Sequence, residues 1–211
     1  MPADSRAPSA RFTHADYHAD AVTLARRLIG QRLVRVTDRG ERLSGLIVET
    51  EAYLGTADRA CHSFAGRRTP RVEPMYARAG TAYVYFTYGM HHCFNVVAGE
   101  IDEPVAVLIR ALRPLEGLAT MTRNRGSSAR GPHPERDLCS GPARLCQALA
   151  IDRRHSALDL VTAPNLFIER ARPDSSPPPT ATSARIGVGY AGAWARRKLR
   201  FFLRGDPNVS R

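Results

Sequence analysis

The chain has 211 residues, of which 43% are hydrophobic, and this length suffices for one domain with a full-sized core. No apolar run approaches the roughly 18 residues of a membrane-spanning helix, and the polar segment 1–10 lacks the apolar core of a signal peptide. The formal net charge is +11, and every basic residue except Lys198 is arginine. Such an excess favours a polyanionic partner, because neutralised phosphates release counterions; solvated charges from an arginine-rich composition are the alternative.

The first half of the chain is predicted to be rich in strands. Residues 1–10 are expected to form a flexible tail and residues 11–211 a single domain. A helix capped by Asp20 is predicted to end at Gly30. Residues 55–80, rich in Gly, Pro and Arg, are predicted to form a long loop, which in a compact domain is usually functional. The predicted strands cover residues 33–36, 43–50, 82–88, 93–97 and 105–110, with turns at 38–40 and 89–90.

The second half mixes helices, loops and short strands. Helices are predicted at 114–121 and from Ser140-Gly141-Pro142 onward, and loops at 126–136 and 174–182. Short strands are predicted at 166–169, 185–188 and 199–203. Because hairpins and helices occur without regular β-α alternation, the predicted fold class is α+β, with a mostly antiparallel sheet. The four cysteines lack Cys-x-x-Cys spacing and are expected to be reduced, buried thiols.

The segment Glu49-Thr-Glu51-Ala-Tyr53 is the first candidate for chemistry. In an extended strand Glu49, Glu51 and Tyr53 share a face, directly after the apolar run at 46–48. A carboxylate that emerges from a buried strand beside an aromatic ring is placed to act as a base. A solvated strand end with an ordinary salt bridge is the alternative interpretation.

Tyrosines and an arginine supply further candidates. Tyr83 and Tyr85 share one strand face, where a ring either stacks on a base or packs in the core, and core packing is preferred for Tyr83. Tyr88 precedes a glycine turn, so it is expected at a hairpin tip that can wedge into a duplex. Arg110 ends an apolar strand and needs an anionic partner, for which Glu51 is one candidate.

Other polar residues carry weaker signals. Asn95 and His62 are each expected to make a satisfied hydrogen bond within the fold, and His91-His92 lacks metal-ligand spacing. Ser140-Gly141-Pro142 with Arg144 forms a helix start that can bind phosphate, although many helices begin this way. The Gly-x-Gly-x-x-Gly pattern at 187–192 is not interpreted as a dinucleotide site, because no room for a β-α-β unit follows it. No metal and no cofactor are predicted.

Several ordered blocks of the sequence together resemble one family. They include Gly-Leu-Ile-Val-Glu-Thr-Glu-Ala-Tyr-Leu-Gly at 45–55 and Tyr-Val-Tyr-Phe-Thr-Tyr-Gly-Met at 83–90. The others lie at 62–63, 68–71, 108–117, 138–142, 145–149 and 184–189. From Arg11 to its end the chain resembles the alkyladenine (3-methyladenine) DNA glycosylases. The resemblance implies a curved antiparallel sheet with flanking helices and a protruding β-hairpin.

The resemblance also implies a role for each matched position. Glu51 corresponds to the general base and Arg110 to its partner in holding the nucleophilic water. The positions that correspond to walls and mouth of the base pocket are Tyr53, His62, Tyr85, Asn95, Val188 and Gly189, with Asn95 crowding the exocyclic amine of normal guanine. The positions that correspond to DNA contacts are Tyr88, Met90, Arg67, Thr69 and Arg144, with Tyr88 filling the gap left by the extruded nucleotide. His91 departs from the pattern, since the vertebrate relative has a tyrosine there.

The function implied is a monofunctional glycosylase of base excision repair. The implied enzyme is a monomer that acts on double-stranded DNA containing damaged purines and has no membrane partner. For a bacterial source, its implied location is the cytoplasm, at the nucleoid. The implied substrates are 3-methyladenine and 7-methylguanine, with hypoxanthine and ethenoadenine as further candidates. Strand nicking needs an amine nucleophile, and Lys198 lies outside the matched blocks. A non-catalytic module that binds damaged DNA is the alternative.

Overall fold

The protein is described from a computed structural model. The structure describes residues 11–128, 131–170 and 179–210. The tail predicted at 1–10 and most of the loop predicted at 174–182 lie outside these described residues. The helices are α1 (His14–Tyr17), α2 (Ala21–Leu28), α3 (Leu118–Arg125) and α4 (Pro142–Ala148). Short 3-10 turns lie at Gly55–Ala57, Phe64–Gly66, Glu73–Tyr76, Glu135–Asp137, Arg153–His155 and Gly189–Arg196.

An antiparallel sheet is the centre of the fold. Its strands are β1 (Arg32–Val36), β2 (Arg42–Tyr53), β3 (Ala82–Thr87), β4 (His91–Ala98), β5 (Val105–Glu116), β8 (Leu166–Glu169), β9 (Thr180–Ser183) and β10 (Arg200–Leu203). Hydrogen-bonded neighbours follow the order β3-β4-β5-β2-β1-β8, with β10 joining β2 to β9. A separate two-stranded ribbon consists of β6 (Ser127–Ser128) and β7 (Gly131–Pro132). The expected α+β class is confirmed.

Strand β2 organises the sheet because it has two neighbours on one edge. Its first half pairs with β1 and its second half with β10, while β5 runs along the whole opposite edge. The β2–β5 ladder has three register shifts, and bulges of this kind bend a strand and increase its twist. The expected curvature of the sheet follows from these irregularities.

One face of the sheet packs on the helices. Helix α2 starts at Asp20, whose carboxylate accepts hydrogen bonds from the backbone N–H groups of Val22 and Thr23. Its apolar face, with Leu24 and Leu28, is fully buried against the sheet. Alternate sheet residues complete this core, among them Ile47, Val84, Phe94, Val96, Val107 and Ile109. All four cysteines are buried and free, as expected.

The predicted helix at 114–121 is wrong in its first half. Strand β5 continues to Glu116, and α3 begins only at Leu118. Proline lacks the N–H that a ladder needs, but Pro114 pairs with Gly45 next to a register shift, where a missing donor is tolerated. Gly117, at a φ of 77°, then turns the chain into the helix.

The predicted strand at 185–188 is absent. Gly187 has a φ of 77°, which interrupts extended backbone, and the N–H of Ile186 is bound by the Glu51 side chain. The loop predicted to reach 182 ends in a strand, because Thr180–Ser183 pairs with β10. Likewise, the loop predicted at 126–136 contains both strands of the small ribbon and the first two residues of the 3-10 turn Glu135–Asp137.

Candidate active site

The register of the sheet lines up a row of polar and aromatic residues. Directly opposed residues of antiparallel strands project to the same face. In order across the sheet, this row consists of Tyr83, Asn95, Leu108, Glu51 and Arg200. Five strands therefore bring side chains from distant parts of the sequence together on the face that does not pack on the helices.

Two further rows, one on each side of the first and two positions along the strands from it, add aromatic residues to a cavity. Tyr85 opposes Cys93 in the β3–β4 pair, and Ala106 opposes Tyr53 in the β5–β2 pair. Residues of these three rows border a cavity of about 400 Å³, a volume typical of small-ligand pockets. Its remaining walls come from the loop after β2 and from residues 186–190, including His62, Val188 and Tyr190.

Glu51 does not line the cavity itself but contacts three residues that do, Tyr53, Arg110 and Ile186. Its side chain is 0% exposed, so the solvated strand end considered for this segment is wrong. Oε1 lies 3.2 Å from Nη1 of Arg110 and accepts a hydrogen bond of 2.8 Å from the N–H of Ile186, while the Tyr53 hydroxyl donates to Oε2 at 2.9 Å. Burial raises the pKa of Glu51, opposed by the charge of Arg110 and by these hydrogen bonds.

Arg110 is shared between two buried glutamates. Its Nε donates to Oε1 of Glu49 at 2.8 Å, closer than its contact with Glu51. Glu49 also accepts from Nε of Arg200 at 2.6 Å and from the backbone N–H of Ser210 at 2.7 Å. Burial would lower the pKa of Arg110, but the two carboxylates outweigh it and the net shift is upward. The pairing of Arg110 with Glu51 considered from the sequence is therefore present, within a larger network.

Three aromatic rings contact one another at the pocket wall. The rings of His62 and Tyr85 meet nearly edge to face, with centroids 4.5 Å apart, and those of Tyr83 and Tyr85 are 5.4 Å apart. Nδ1 of His62 lies 2.7 Å from the Tyr83 hydroxyl. Burial, reinforced by Arg71 and Arg67, lowers the pKa of His62 to about 4, so its imidazole is neutral at neutral pH. Tyr83 is buried, as preferred, but it also lines the cavity.

Asn95 and the 186–190 segment complete the lining. Nδ2 of Asn95 donates to the backbone oxygen of Tyr83 at 3.0 Å, which is the hydrogen bond expected of it within the fold. Its amide still borders the cavity. Val188 is buried and lines the cavity, whereas Gly189 is exposed where the following 3-10 turn begins.

The predicted hairpin projects next to the cavity. Strands β3 and β4 become progressively more exposed toward their turn, where Tyr88 is 83% and Met90 is 67% exposed. Tyr88 also borders the cavity and adopts a left-handed φ of 51°. His91 is exposed at the start of β4.

The remaining predicted DNA contacts are surface residues. Arg67 and Thr69 are exposed in the loop after β2. Arg144 is exposed on α4, and its Nη1 donates to the Ser140 hydroxyl at 3.0 Å. The N-terminus of α4 has no side-chain cap, and the helix is seven residues long. Within the part of the chain that the structure describes, no group of three His, Cys, Asp or Glu side chains is arranged to hold a metal ion, and no helix is long and apolar enough to cross a membrane.

Sequence reasoning missed three features of the site. Glu49 was noted only for sharing a face with Glu51, whereas it anchors Arg110. Tyr190 is 70% exposed at the cavity mouth, and its position one residue after Gly189 was the available signal. Arg185 and Asp58 form a buried ion pair behind the cavity wall, and only the unusual placement of an arginine in an apolar run hinted at it.

The fold and the site define an α+β protein with an aromatic cavity served by a buried glutamate–arginine network. Residues 15–207 match the family model described as methylpurine-DNA glycosylase, and the chain belongs to this family. It is 48% identical to the DNA-3-methyladenine glycosylase of Homo sapiens over 90% of the chain, and 46% identical to that of Mus musculus over 96%. The chain spans 64% and 62% of the length of these two relatives. It is also 41% identical to a putative 3-methyladenine DNA glycosylase of Natranaerobius thermophilus, over 92% of the chain and 96% of that relative.

Proposed function

We propose that this protein is a monofunctional DNA glycosylase of base excision repair. It extrudes alkylated or deaminated purines from duplex DNA and hydrolyses their N-glycosidic bond with an activated water, leaving an abasic site. The substrates proposed are 3-methyladenine and 7-methylguanine, with hypoxanthine and ethenoadenine as further candidates. The observation that carries the proposal is Glu51, which is buried 3.2 Å from Arg110 and contacts three residues of the cavity wall, Arg110, Tyr53 and Ile186, in a chain of the methylpurine-DNA glycosylase family.

Recognition rests on the chemistry of alkylated purines. A base inside a duplex presents neither face to a protein, so it is turned out of the stack at a cost of a few kcal/mol, which is least for damaged pairs. An N-alkylated purine is cationic and stacks on electron-rich rings. Tyr53, His62 and Tyr85 provide such rings, and the neutral imidazole of His62 adds no repulsion. Asn95 crowds the position of the exocyclic amine of guanine and so discriminates against the normal base.

The hydrolytic step needs one carboxylate and one water. The water oxygen bonds to the anomeric carbon of the sugar, and its proton passes to Glu51. The glycosidic bond breaks with its electron pair going to the purine nitrogen, so a cationic alkylated base leaves as a neutral molecule. Ionised Glu51 also stabilises the positive charge that develops on the sugar. Arg110 orients the water, and its charge favours the ionised form of the buried carboxylate.

Engagement of the duplex involves the face around the cavity mouth. Tyr88 at the hairpin tip fills the gap left by the extruded nucleotide, next to Met90. Arg67, Thr69 and Arg144 contact the backbone, and residues 188–189 border the entry of the base. The protein works as a monomer, with no cofactor, and acts on nucleoid DNA in the bacterial cytoplasm. The assignment of these residues to DNA contact is supported by their exposure, with the exception of the buried Val188, and by the net charge of +11.

A non-catalytic module that binds damaged DNA is the second candidate. It would share the basic surface and the aromatic cavity. A pure binder, however, has no use for a fully buried carboxylate whose pKa is raised by desolvation, since burying charge without function is costly. Release of free base distinguishes the two candidates.

The test is an excision assay on a panel of defined duplexes. Each duplex carries one of 3-methyladenine, 7-methylguanine, hypoxanthine, ethenoadenine or a normal purine, and both free base and strand integrity are measured. The proposal expects release of the methylated purines with the strand intact until alkali is added. Binding to damaged duplexes without release of any base would instead support the non-catalytic module, and strand cleavage without alkali would contradict the monofunctional mechanism.

A further inference from the structure

An ion pair between Arg185 and Asp58 lies behind the cavity wall. Nη1 and Nη2 of Arg185 donate to the two carboxylate oxygens of Asp58 at 2.5 and 2.8 Å, and both side chains are 0% exposed. Removing two charges from water is costly, and such a pair is weak evidence for stability by itself. Nε of Arg185 is moreover buried without a hydrogen-bond partner. A role beyond stability is therefore expected of the pair.

The pair ties three segments of the cavity wall together. Nη1 of Arg185 also donates to the backbone oxygen of Ala52 at 2.9 Å, at the end of β2. Asp58 accepts hydrogen bonds from the backbone N–H groups of Leu54 at 3.1 Å and Ala60 at 3.0 Å, in the loop after β2. The positions of β2, of this loop and of the segment that begins at residue 185 thus depend on one ion pair.

Two of these three segments, the end of β2 and the segment that begins at residue 185, lie directly against Glu51. Ala52 directly follows Glu51, and Ile186 directly follows Arg185 and donates its N–H to Glu51 Oε1 at 2.8 Å. The guanidinium of Arg185 also lies 4.7 Å from the centre of the Tyr53 ring, whose hydroxyl donates to Glu51 Oε2. Arg185 is therefore connected to the Glu51 carboxylate through Ala52, Ile186 and Tyr53, although it makes no hydrogen bond to the carboxylate itself.

We propose that Arg185 and Asp58 are positioning residues that hold the Glu51 carboxylate and the Tyr53 ring in their reactive places. This inference rests on the proposed function. Arginine suits the task because its planar fork binds both oxygens of a carboxylate side by side and still reaches a backbone oxygen, a geometry that the single ammonium of lysine does not reproduce. Misplacement of a catalytic group by about 1 Å can cost on the order of 100-fold in rate, so a rigid anchor behind the carboxylate is worth its desolvation.

The first test replaces the pair by neutral groups of similar size. In the double variant Asp58→Asn/Arg185→Met no charge is left unpaired, and such replacements are often neutral for stability. We expect single-turnover release of the methylated base to fall by roughly 100-fold, with melting temperature and affinity for a duplex with an abasic-site analogue near those of the wild type. The matched control is Arg42→Met/Glu169→Gln, which removes the ion pair of 2.6 Å near the other end of β2, and release is expected to be unchanged.

The second readout is the pH profile of release, which a purely structural role would leave unchanged. Losing the Ile186 hydrogen bond, together with the positive charge of Arg185 that interacts with Glu51, raises the pKa of Glu51 further, so the acidic limb of the profile moves to higher pH in the double variant. The control variant keeps the limb of the wild type. The groups that face Glu51 and stay unchanged in both variants are Glu49, Tyr53, Tyr85, Cys93, Arg110 and Arg200.

The outcomes separate this inference from the proposed function. A wild-type chain that releases no base counts against the proposed function, whereas wild-type release together with an unaltered rate and profile in the folded double variant overturns the positioning role alone. If the double variant does not fold, Arg185→Lys decides, because it keeps the charge but not the fork. A folded Arg185→Lys protein with slower base release and with the acidic limb of its pH profile at higher pH supports the inference. A folded Arg185→Lys protein with the wild-type rate and pH profile overturns it, and so does an Arg185→Lys protein that fails to fold.

Discussion

Glu51 shows how the surroundings of one residue set its chemistry. Desolvation raises its pKa, while Arg110, the Ile186 N–H and the Tyr53 hydroxyl favour the ionised form. A carboxylate in this balance has a stronger affinity for a proton than a solvated one, while the fixed positive charge of Arg110 favours its ionised form. This is the combination that a general base for water requires.

The substitution Glu51→Gln removes the proton acceptor but preserves shape and volume. We expect release of 3-methyladenine to fall by at least about 100-fold, because general-base catalysis contributes about that much or more. Affinity for a duplex with an abasic-site analogue is expected to stay within about threefold, a difference below 1 kcal/mol. In the wild type, release declines as the pH falls through the raised pKa of Glu51, because the protonated carboxyl no longer accepts a proton.

A glutamate outside the cavity provides the control for this substitution. Glu135 is exposed in the 3-10 turn Glu135–Asp137, and Glu135→Gln is expected to release the base at the wild-type rate. Near wild-type release by Glu51→Gln would refute the role assigned to this carboxylate.

At the scale of elements, the β3–β4 hairpin is buried where it leaves the sheet and exposed at its tip. Its inner residues pack in the sheet, and its tip carries Tyr88 in a left-handed conformation. The substitution Tyr88→Ser removes the ring without disturbing the core, since the side chain is 83% exposed. We expect affinity for a duplex with an abasic-site analogue to fall by roughly 10-fold, in line with ~1–3 kcal/mol for an aromatic ring stacked on bases.

Single-stranded substrate is the control for the hairpin tip. It has no gap for a wedge to fill, so release of the methylated base from a single-stranded oligonucleotide should be equal in Tyr88→Ser and the wild type. Unchanged affinity of the variant for the duplex analogue would contradict the wedge.

Helix α2 is an element whose stability depends on one cap. Asp20 accepts hydrogen bonds from Val22 and Thr23, and its loss leaves these N–H groups without the side-chain acceptor. The substitution Asp20→Ala should lower the free energy of unfolding by about 1 kcal/mol. Measured by thermal denaturation, the midpoint is expected to drop by about 2–4 °C. Asp20→Asn retains a capping oxygen and should lose less; equal losses would show that the cap contributes nothing.

For the whole molecule, the excess of positive charge is the dominant property. A protein that neutralises phosphates loses affinity as salt rises, with a slope of about −0.9 per phosphate in a log–log plot. We expect binding of an undamaged duplex to weaken steeply with salt, and Arg67→Ala/Arg144→Ala to reduce the slope by about 2. Arg39→Ala, in the exposed β1–β2 turn, provides the control and should leave the slope unchanged. A slope unaltered by the Arg67 and Arg144 substitutions would place the duplex on another face.

The sequence by itself determined the elements whose signals are local. The cap of α2, both hairpins and the alternation that places Glu49, Glu51 and Tyr53 on one face were predicted, because side-chain period and turn chemistry act over a few residues. The matched blocks also predicted the family. The boundary at Pro114–Leu118 was not predictable in this way, because Gly45 of β2, 69 positions earlier, pairs with Pro114 and extends β5 past a residue that usually starts helices.

Only the tertiary structure decided what surrounds the buried carboxylates. Glu51 meets the backbone of a residue 135 positions later, and Glu49 meets Ser210 across 161 positions. No periodic pattern records such contacts, because they depend on how the whole sheet curls and on which of several arginines reaches a given carboxylate. For the same reason Arg185, whose segment was predicted to be a strand, emerged as the buried partner of Asp58 only in the folded chain.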